Sequence, residues 1–182
     1  YFARRRGMLT SNVGEAGSFF HTSVGDIAPQ MEMIAAPVYF FRHGAATFDG
    51  TAVAIGLSLV GAQSEGWVRL RSVDPAAPPR ICNNYFEDPR DMQSMLDGIE
   101  RAREVMASTA LKGTVGKEIH PGPSYGTTRS DLERAVRAEV EHTYHPSCTT
   151  RIGAPGDGVL DEQLRVYGVS GLRVADASAM PR

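Results

Sequence analysis

The sequence has little cysteine, no excess of either charge and no long apolar run, and each shortage removes a class of function. Two cysteines in 182 residues, Cys82 and Cys148, cannot build a disulfide framework. The count points to a reducing compartment, so the expected location is cytoplasmic, with membrane association left open. Lys and Arg number 19 against 21 Asp and Glu, a formal charge of −2. A balanced chain without a basic stripe lacks the electrostatic footprint of a nucleic-acid binder, so no nucleic-acid partner is expected. The longest apolar-rich stretch, residues 52–62, is of strand length and contains Gly and Ser. It falls well short of the roughly 20 residues of a membrane-spanning helix. Arg4, Arg5 and Arg6 are followed by no apolar segment of the secretory kind. Internal repeats and low-complexity tracts are also missing. What remains is a chain with 42% hydrophobic residues, enough for a core, and a length suited to a single globular domain.

Hydrophobic periodicity divides the chain. Residues 7–35 are rich in Gly, Ser and Thr and read as loop with short extended pieces. The run Pro-Val-Tyr-Phe-Phe at 37–41 predicts a strand. Residues 52–60 predict another, followed by a polar break at 61–66 and a third at 67–73. There Trp67, Arg69 and Arg71 alternate with Val68, Leu70 and Ser72, which gives one basic and one apolar face. The last two strands are expected to form an antiparallel hairpin. Three prolines make 74–80 an extended connector. Asp88-Pro89 opens a predicted helix to about residue 108, with Met92, Met95, Leu96, Ile99, Ala102, Val105 and Met106 on one face. A second helix is expected from Ser130, whose spacing to Glu133 suits a capping box, to about Tyr144, where Pro146 would stop it. A final strand is predicted at 172–176. The fold class is α+β, two helices on a mostly antiparallel sheet.

Several residues invite chemical readings. His142, His145 and Cys148 are spaced by three, yet Pro146 breaks the helix that would align them and no fourth ligand stands nearby, so no metal site is expected. Gly14 with Gly17, and Gly153 with Gly156 and Gly158, do not sit between a strand and a helix as a dinucleotide fingerprint requires. His145 stands where a helix gives way to a Pro-Ser-Cys-Thr-Thr loop. An imidazole there either settles into hydrogen bonds or accepts a proton at neutral pH, and spacing leaves both open. Asp176 either caps a turn or meets a ligand. Glu15, set among glycines, is either a solvated loop carboxylate or one packed close to a ligand.

The ordered motifs Tyr144-His-Pro-Ser-Cys-Thr-Thr-Arg-Ile-Gly153 and Val159-Leu-Asp-Glu-Gln-Leu-Arg-Val-Tyr-Gly-Val-Ser-Gly-Leu-Arg-Val-Ala-Asp-Ala-Ser-Ala-Met-Pro181 resemble the C-terminal signature of the glucose–methanol–choline (GMC) oxidoreductases. Leu9-Thr-Ser-Asn-Val-Gly-Glu-Ala-Gly17, Gly66-Trp-Val-Arg-Leu-Arg-Ser72 and Asn84-Tyr-Phe-Glu-Asp-Pro89 fit the same family. His-Pro-Ser-Cys-Thr resembles its choline dehydrogenase branch. The resemblance implies an FAD-dependent oxidation of a small-molecule alcohol to an aldehyde, with His145 in the place of the catalytic histidine. It puts Asp176 and Ala177 in the stretch whose backbone contacts the flavin, and Glu15 near a carboxylate that faces a cationic substrate. Residues 1–143 would be the substrate-binding domain, and 144–182 the catalytic-His loop and a strand returning to an FAD-binding domain. That N-terminal domain is not in this sequence, nor is the segment with the family's second active-site residue. Both chain ends read as cuts, so a piece of a longer polypeptide is expected, inactive alone, weak in binding FAD and prone to self-associate into homo-oligomers. The alternatives are a non-redox relative of the hydroxynitrile lyase kind and a cofactor-free substrate-binding module.

Overall fold

In the Met-Glu-Met-Ile-Ala-Ala run at 31–36, alternation puts Met31 and Met33 on one face and Ile34 on the other, as a half-buried strand requires. The computed structural model, which describes residues 10–25 and 27–181, makes this run the middle strand of a three-stranded antiparallel sheet. The strands are β1 (Ala16–Phe20), β2 (Met31–Ala36) and β3 (Ala54–Leu59), in that order, with Ile34 opposite Gly17 and Gly56, and Met33 opposite Ser18 and Leu57. Helix α1 (Pro89–Met106) packs on the methionine face. A Cβ on Gly98 would stand 2.8 Å from Met31 Cε, so this glycine is what lets the helix come so near the sheet. Phe86, Met92, Leu96, Ile99 and Leu132 form the buried cluster, with Leu57, Met95, Val136 and Val140 against it. Each such side chain contributes about 1.5–3 kcal/mol on burial.

Helix α1 starts as the Asp-Pro signal predicts: Asp88 caps it by accepting from Arg90 N–H, and Pro89 fills the first turn. Its buried face is shifted from the predicted one. Asp91, Ser94 and Gly98 are buried, whereas Val105 is exposed, because the sheet covers only the first half of the helix. Helix α2 (Arg129–Glu139) is capped by Thr128 and Asp131 rather than by Ser130 and Glu133. It ends at Glu139 with Val140 already extended, so Pro146 plays no part in stopping it.

The predicted strand at 37–41 is not a strand. Pro37 follows the last residue of β2, Arg42 and His43 adopt positive φ, and the aromatics stack on other rings instead. The predicted hairpin is also replaced. β3 pairs with β2, and β4 (Trp67–Arg69) pairs with β5 (Arg80–Cys82), so the proline connector becomes the link of a different hairpin. In β4 the apolar side chains Val68 and, just beyond it, Leu70 are exposed, while the Arg69 and Arg80 guanidiniums lie 4.6 and 5.6 Å from the centre of the Trp67 ring.

The chain falls into two compact units. Residues 10–65 and 85–141 make the first, and residues 66–84 and 142–181 the second. The second unit joins residues 66–84 to the C-terminal part of the chain. The second unit carries β4, β5 and a series of turns. Gly153 and Gly158 meet so closely that a Cβ on Gly158 would stand 2.4 Å from Gly153 N. Isolated bridges join Ile152 to Leu160, Leu160 to Val166 and Arg165 to Arg173, and Leu160 is wholly buried. Residues 172–176, read as a strand in the sequence, pair among the described residues through the Arg165–Arg173 bridge. No helix among the described residues is long and apolar enough to cross a membrane.

Candidate functional site

His145 lies in the second unit, at the tip of an exposed stretch that runs from His142 to Ser147. The backbone turns sharply on either side of it. Tyr144 has φ +64° and Cys148 φ +68°, left-handed values that a bulky side chain rarely adopts and that concentrate at functional loops. The first turn is held locally: Tyr144 N–H donates to His142 Nδ1 at 3.2 Å, and the two rings meet edge to face at 4.5 Å. Among the described residues nothing bonds to the His145 imidazole. The side chain is exposed.

The chain after His145 is stitched to the stretch that carries the other predicted contacts. Cys148, Thr150 and Ile152 N–H groups donate to the carbonyls of Ala177, Ser178 and Ala179 at 3.4, 3.0 and 3.0 Å. Thr150 and Ser178 hydroxyls add a bond of 2.5 Å between side chains. These bonds begin three residues after His145 and one residue after Asp176, and all three predicted residues lie in the second unit. Glu15 lies elsewhere, in the first unit just before β1, with its side chain exposed and its N–H bonded to Ala35 O at 3.0 Å.

Asp176 caps a single 3-10 turn at Ala177–Ala179, its Oδ1 accepting from Ser178 N–H at 2.8 Å and Ser178 Oγ at 2.5 Å. The Ser178 hydroxyl first, and then its N–H, hold the Asp176 carboxyl below the usual carboxylate range. The next donor, Ala177 N–H, has no acceptor among the described residues, and its side chain is only a methyl group. An open N–H at the start of a turn, without a bulky side chain in the way, fits a backbone contact to a cofactor. Among the described residues no three His, Cys, Asp or Glu side chains gather to hold a metal.

Two features had no usable signal in the sequence. The pairing of 148–152 with 177–179 joins segments about thirty residues apart, and neither has strand alternation to announce it. Asp91 is buried, with its carboxylate oxygens accepting from Gln63 and Ser64 N–H at 2.8 Å each. In sequence it is merely an acidic residue in a first helical turn, where the helix dipole favours one anyway.

The family model of GMC oxidoreductase matches residues 62–182. The chain belongs to the GMC oxidoreductase family. A GMC-type oxidoreductase of Mycobacterium tuberculosis is 41% identical over an alignment 184 positions long, which covers all of this chain and 35% of that protein. Oxygen-dependent choline dehydrogenase of Paraburkholderia phytofirmans is 37% identical over 97% of this chain and 31% of its own length. Among solved structures, formate oxidase superposes with a TM-score of 0.76 at 29% identity, over 85% of this chain and 28% of the oxidase. The chain thus spans about a third of the length of the relatives it matches. GMC oxidoreductases generally use FAD, and the antiparallel sheets and helices of this member agree with the α+β class expected from its sequence.

Proposed function

We propose that this chain is the C-terminal part of an FAD-dependent GMC oxidoreductase that oxidises an alcohol to an aldehyde, with His145 taking the hydroxyl proton. The observation that supports this reading is the frame of hydrogen bonds between 148–152 and 177–179, in the same unit as the exposed His145 and with the open Ala177 N–H at its edge. FAD, when bound, supplies the acceptor for the hydride that leaves the alcohol carbon. His145 accepts the hydrogen bond of the substrate hydroxyl and takes its proton as the carbon gives up hydride, which eases that departure by giving the oxygen alkoxide character. Its exposure lets it pass the proton on to solvent. The Ala177 N–H donates to the cofactor, and Asp176 fixes that donor by capping the turn behind it. Glu15 is the carboxylate for a cationic group on the substrate, a role its exposure allows. An N-terminal FAD-binding domain completes the site.

The test is anaerobic mixing of the full-length, FAD-loaded protein with an alcohol, followed by flavin bleaching. His145→Asn is expected to slow reduction about 10²–10⁴-fold, the usual contribution of a positioned base, with the flavin still bound. An unchanged rate in the variant overturns the role of His145. Substrate cleavage with the flavin left oxidised overturns the redox reading in favour of a lyase.

A further inference from the structure

Thr150 and Ser178 are joined twice within the second unit. The Thr150 N–H donates to the Ser178 carbonyl at 3.0 Å, and the two hydroxyl oxygens stand 2.5 Å apart. The Ser178 hydroxyl also lies 2.5 Å from Asp176 Oδ1. A row of three oxygens thus runs from Thr150 through Ser178 to Asp176, at distances that each require a hydrogen between the atoms.

The hydrogens of this row have only one consistent order. The Ser178 hydroxyl and N–H hold the Asp176 carboxyl below the usual carboxylate range, and a carboxylate only accepts. The Ser178 hydroxyl has a single hydrogen, and the contact with Asp176 takes it. The hydrogen between Thr150 and Ser178 is therefore Thr150's own. A methyl group in place of that hydroxyl can neither donate nor come so near an oxygen.

The donor end of the row is anchored. Beside Thr150, the Arg151 carbonyl accepts from the N–H groups of Val159 and Leu160 at 2.9 and 3.3 Å, and Gly153 N–H donates to Leu160 O at 3.1 Å. Leu160 itself is wholly buried. The acceptor end is one 3-10 turn that starts from the exposed Asp176. Its own backbone bonds are those of Ala179 N–H to Asp176 O and Met180 N–H to Ala177 O, at 3.0 and 3.2 Å. So short a turn holds its shape poorly unaided, and the hydroxyl row ties it to the anchored segment.

We propose that Thr150 is a positioning residue for the turn at 176–179, its hydroxyl donating to Ser178 so that Ser178 donates to Asp176. Thr150 touches no reacting atom. It fixes the Asp176–Ala177 segment that meets the flavin in the function proposed above, and the inference rests on that reading.

The test uses the full-length, FAD-loaded protein with Thr150→Val, Thr150→Ser, Ser178→Ala and the double variant Thr150→Val with Ser178→Ala. Thr114→Val, at an exposed threonine of the first unit, is the control. Thr150→Val is expected to raise the FAD dissociation constant about tenfold, the worth of one hydrogen bond. It is also expected to speed hydrogen exchange of the Ser178, Ala179 and Met180 amides at least tenfold, with the KM of the alcohol changed less than twofold. Thr150→Ser keeps the donor and is expected to restore both. Ser178→Ala is expected to act in the same direction, and adding Thr150→Val to it to cost little more, because Thr150 acts through Ser178. Thr114→Val should change neither. Unchanged exchange in Thr150→Val overturns the proposal, as do a loss that Ser does not rescue and effects of the two single variants that multiply in the double. If exchange responds as expected while FAD binding stays as it was, the contact of this turn with the flavin has failed and the tie stands.

Discussion

The two units of this chain are held by different means. In the first, Phe86, Met92, Leu96, Ile99 and Leu132 bury one another between two helices and a sheet. In the second, Leu160 and Ala179 are the buried apolar residues among those described, while Val68, Leu70, Val73 and Ile81 are exposed. Order there comes from backbone bonds that close turns, from the approach of Gly153 to Gly158, and from the frame between 148–152 and 177–179. A packed core resists loss of volume, whereas a hydrogen-bonded set of turns resists distortion of the backbone. The candidate chemistry sits on the second kind of structure, where an imidazole can be exposed without emptying a core.

The strongest challenge to this contrast is Leu96→Ala. It is expected to cost the first unit about 2–5 kcal/mol through lost burial and a cavity. Amide protection at 148–152 should stay as it was; if both units lose protection together, they are one cooperative body and the contrast fails. Gly158→Ala is the converse, since its new methyl would press on Gly153 N and on Arg151 O. It is expected to cost about 1–3 kcal/mol, as overpacking does, with faster exchange confined to residues 150–166. Loss of protection in α1 would contradict it.

Smaller effects sharpen the picture at the helix ends. Thr128→Ala should lower the denaturant midpoint by the equivalent of about 1 kcal/mol, as loss of an N-cap does. Ser130→Ala, at the exposed position first read as the cap, should stay within about 0.5 kcal/mol; the reverse order would return the cap to Ser130. The smallest effect is that of acid. The Arg90 side chain first, and then its backbone N–H, hold Asp88 down to about 2. A carboxyl depressed in the folded state stabilises above its unfolded pKa of about 4, and that contribution fades as pH falls towards the folded value. The denaturant midpoint should therefore decline between about pH 4 and pH 2, and Asp88→Asn should remove part of that slope; an identical slope in the variant would show that other carboxylates carry it.

Much of the fold could be read from local signals, and the failures share a cause. Asp88-Pro89 and the three-and-four spacing behind it locate α1 because capping and periodicity are properties of adjacent residues. The choice between Thr128 and Ser130 lies beyond such signals, since both offer a hydroxyl three residues ahead of a carboxylate and the packing of Leu132 and Ala135 decides. Strand partners were misread because pairing is a long-range matter. Nothing in 52–60 says that its neighbour is the methionine run before it rather than the tryptophan run after it. At 37–41 the aromatic residues suit a strand, but ring stacking on His120 and Phe48 satisfied them better. In the site, His145 stood out through its place beside Pro146 and through the family signature.

Trp67 is the one tryptophan of the sequence, and it lies in the second unit, its ring flanked by two guanidiniums. Helices α1 and α2 both lie in the first unit. Tryptophan fluorescence, excited at wavelengths that tyrosine does not absorb, therefore reports on one unit and far-ultraviolet ellipticity mainly on the other. A single titration followed by both signals separates the two unfolding curves without any label, and the gap between their midpoints measures how strongly the turns depend on the core.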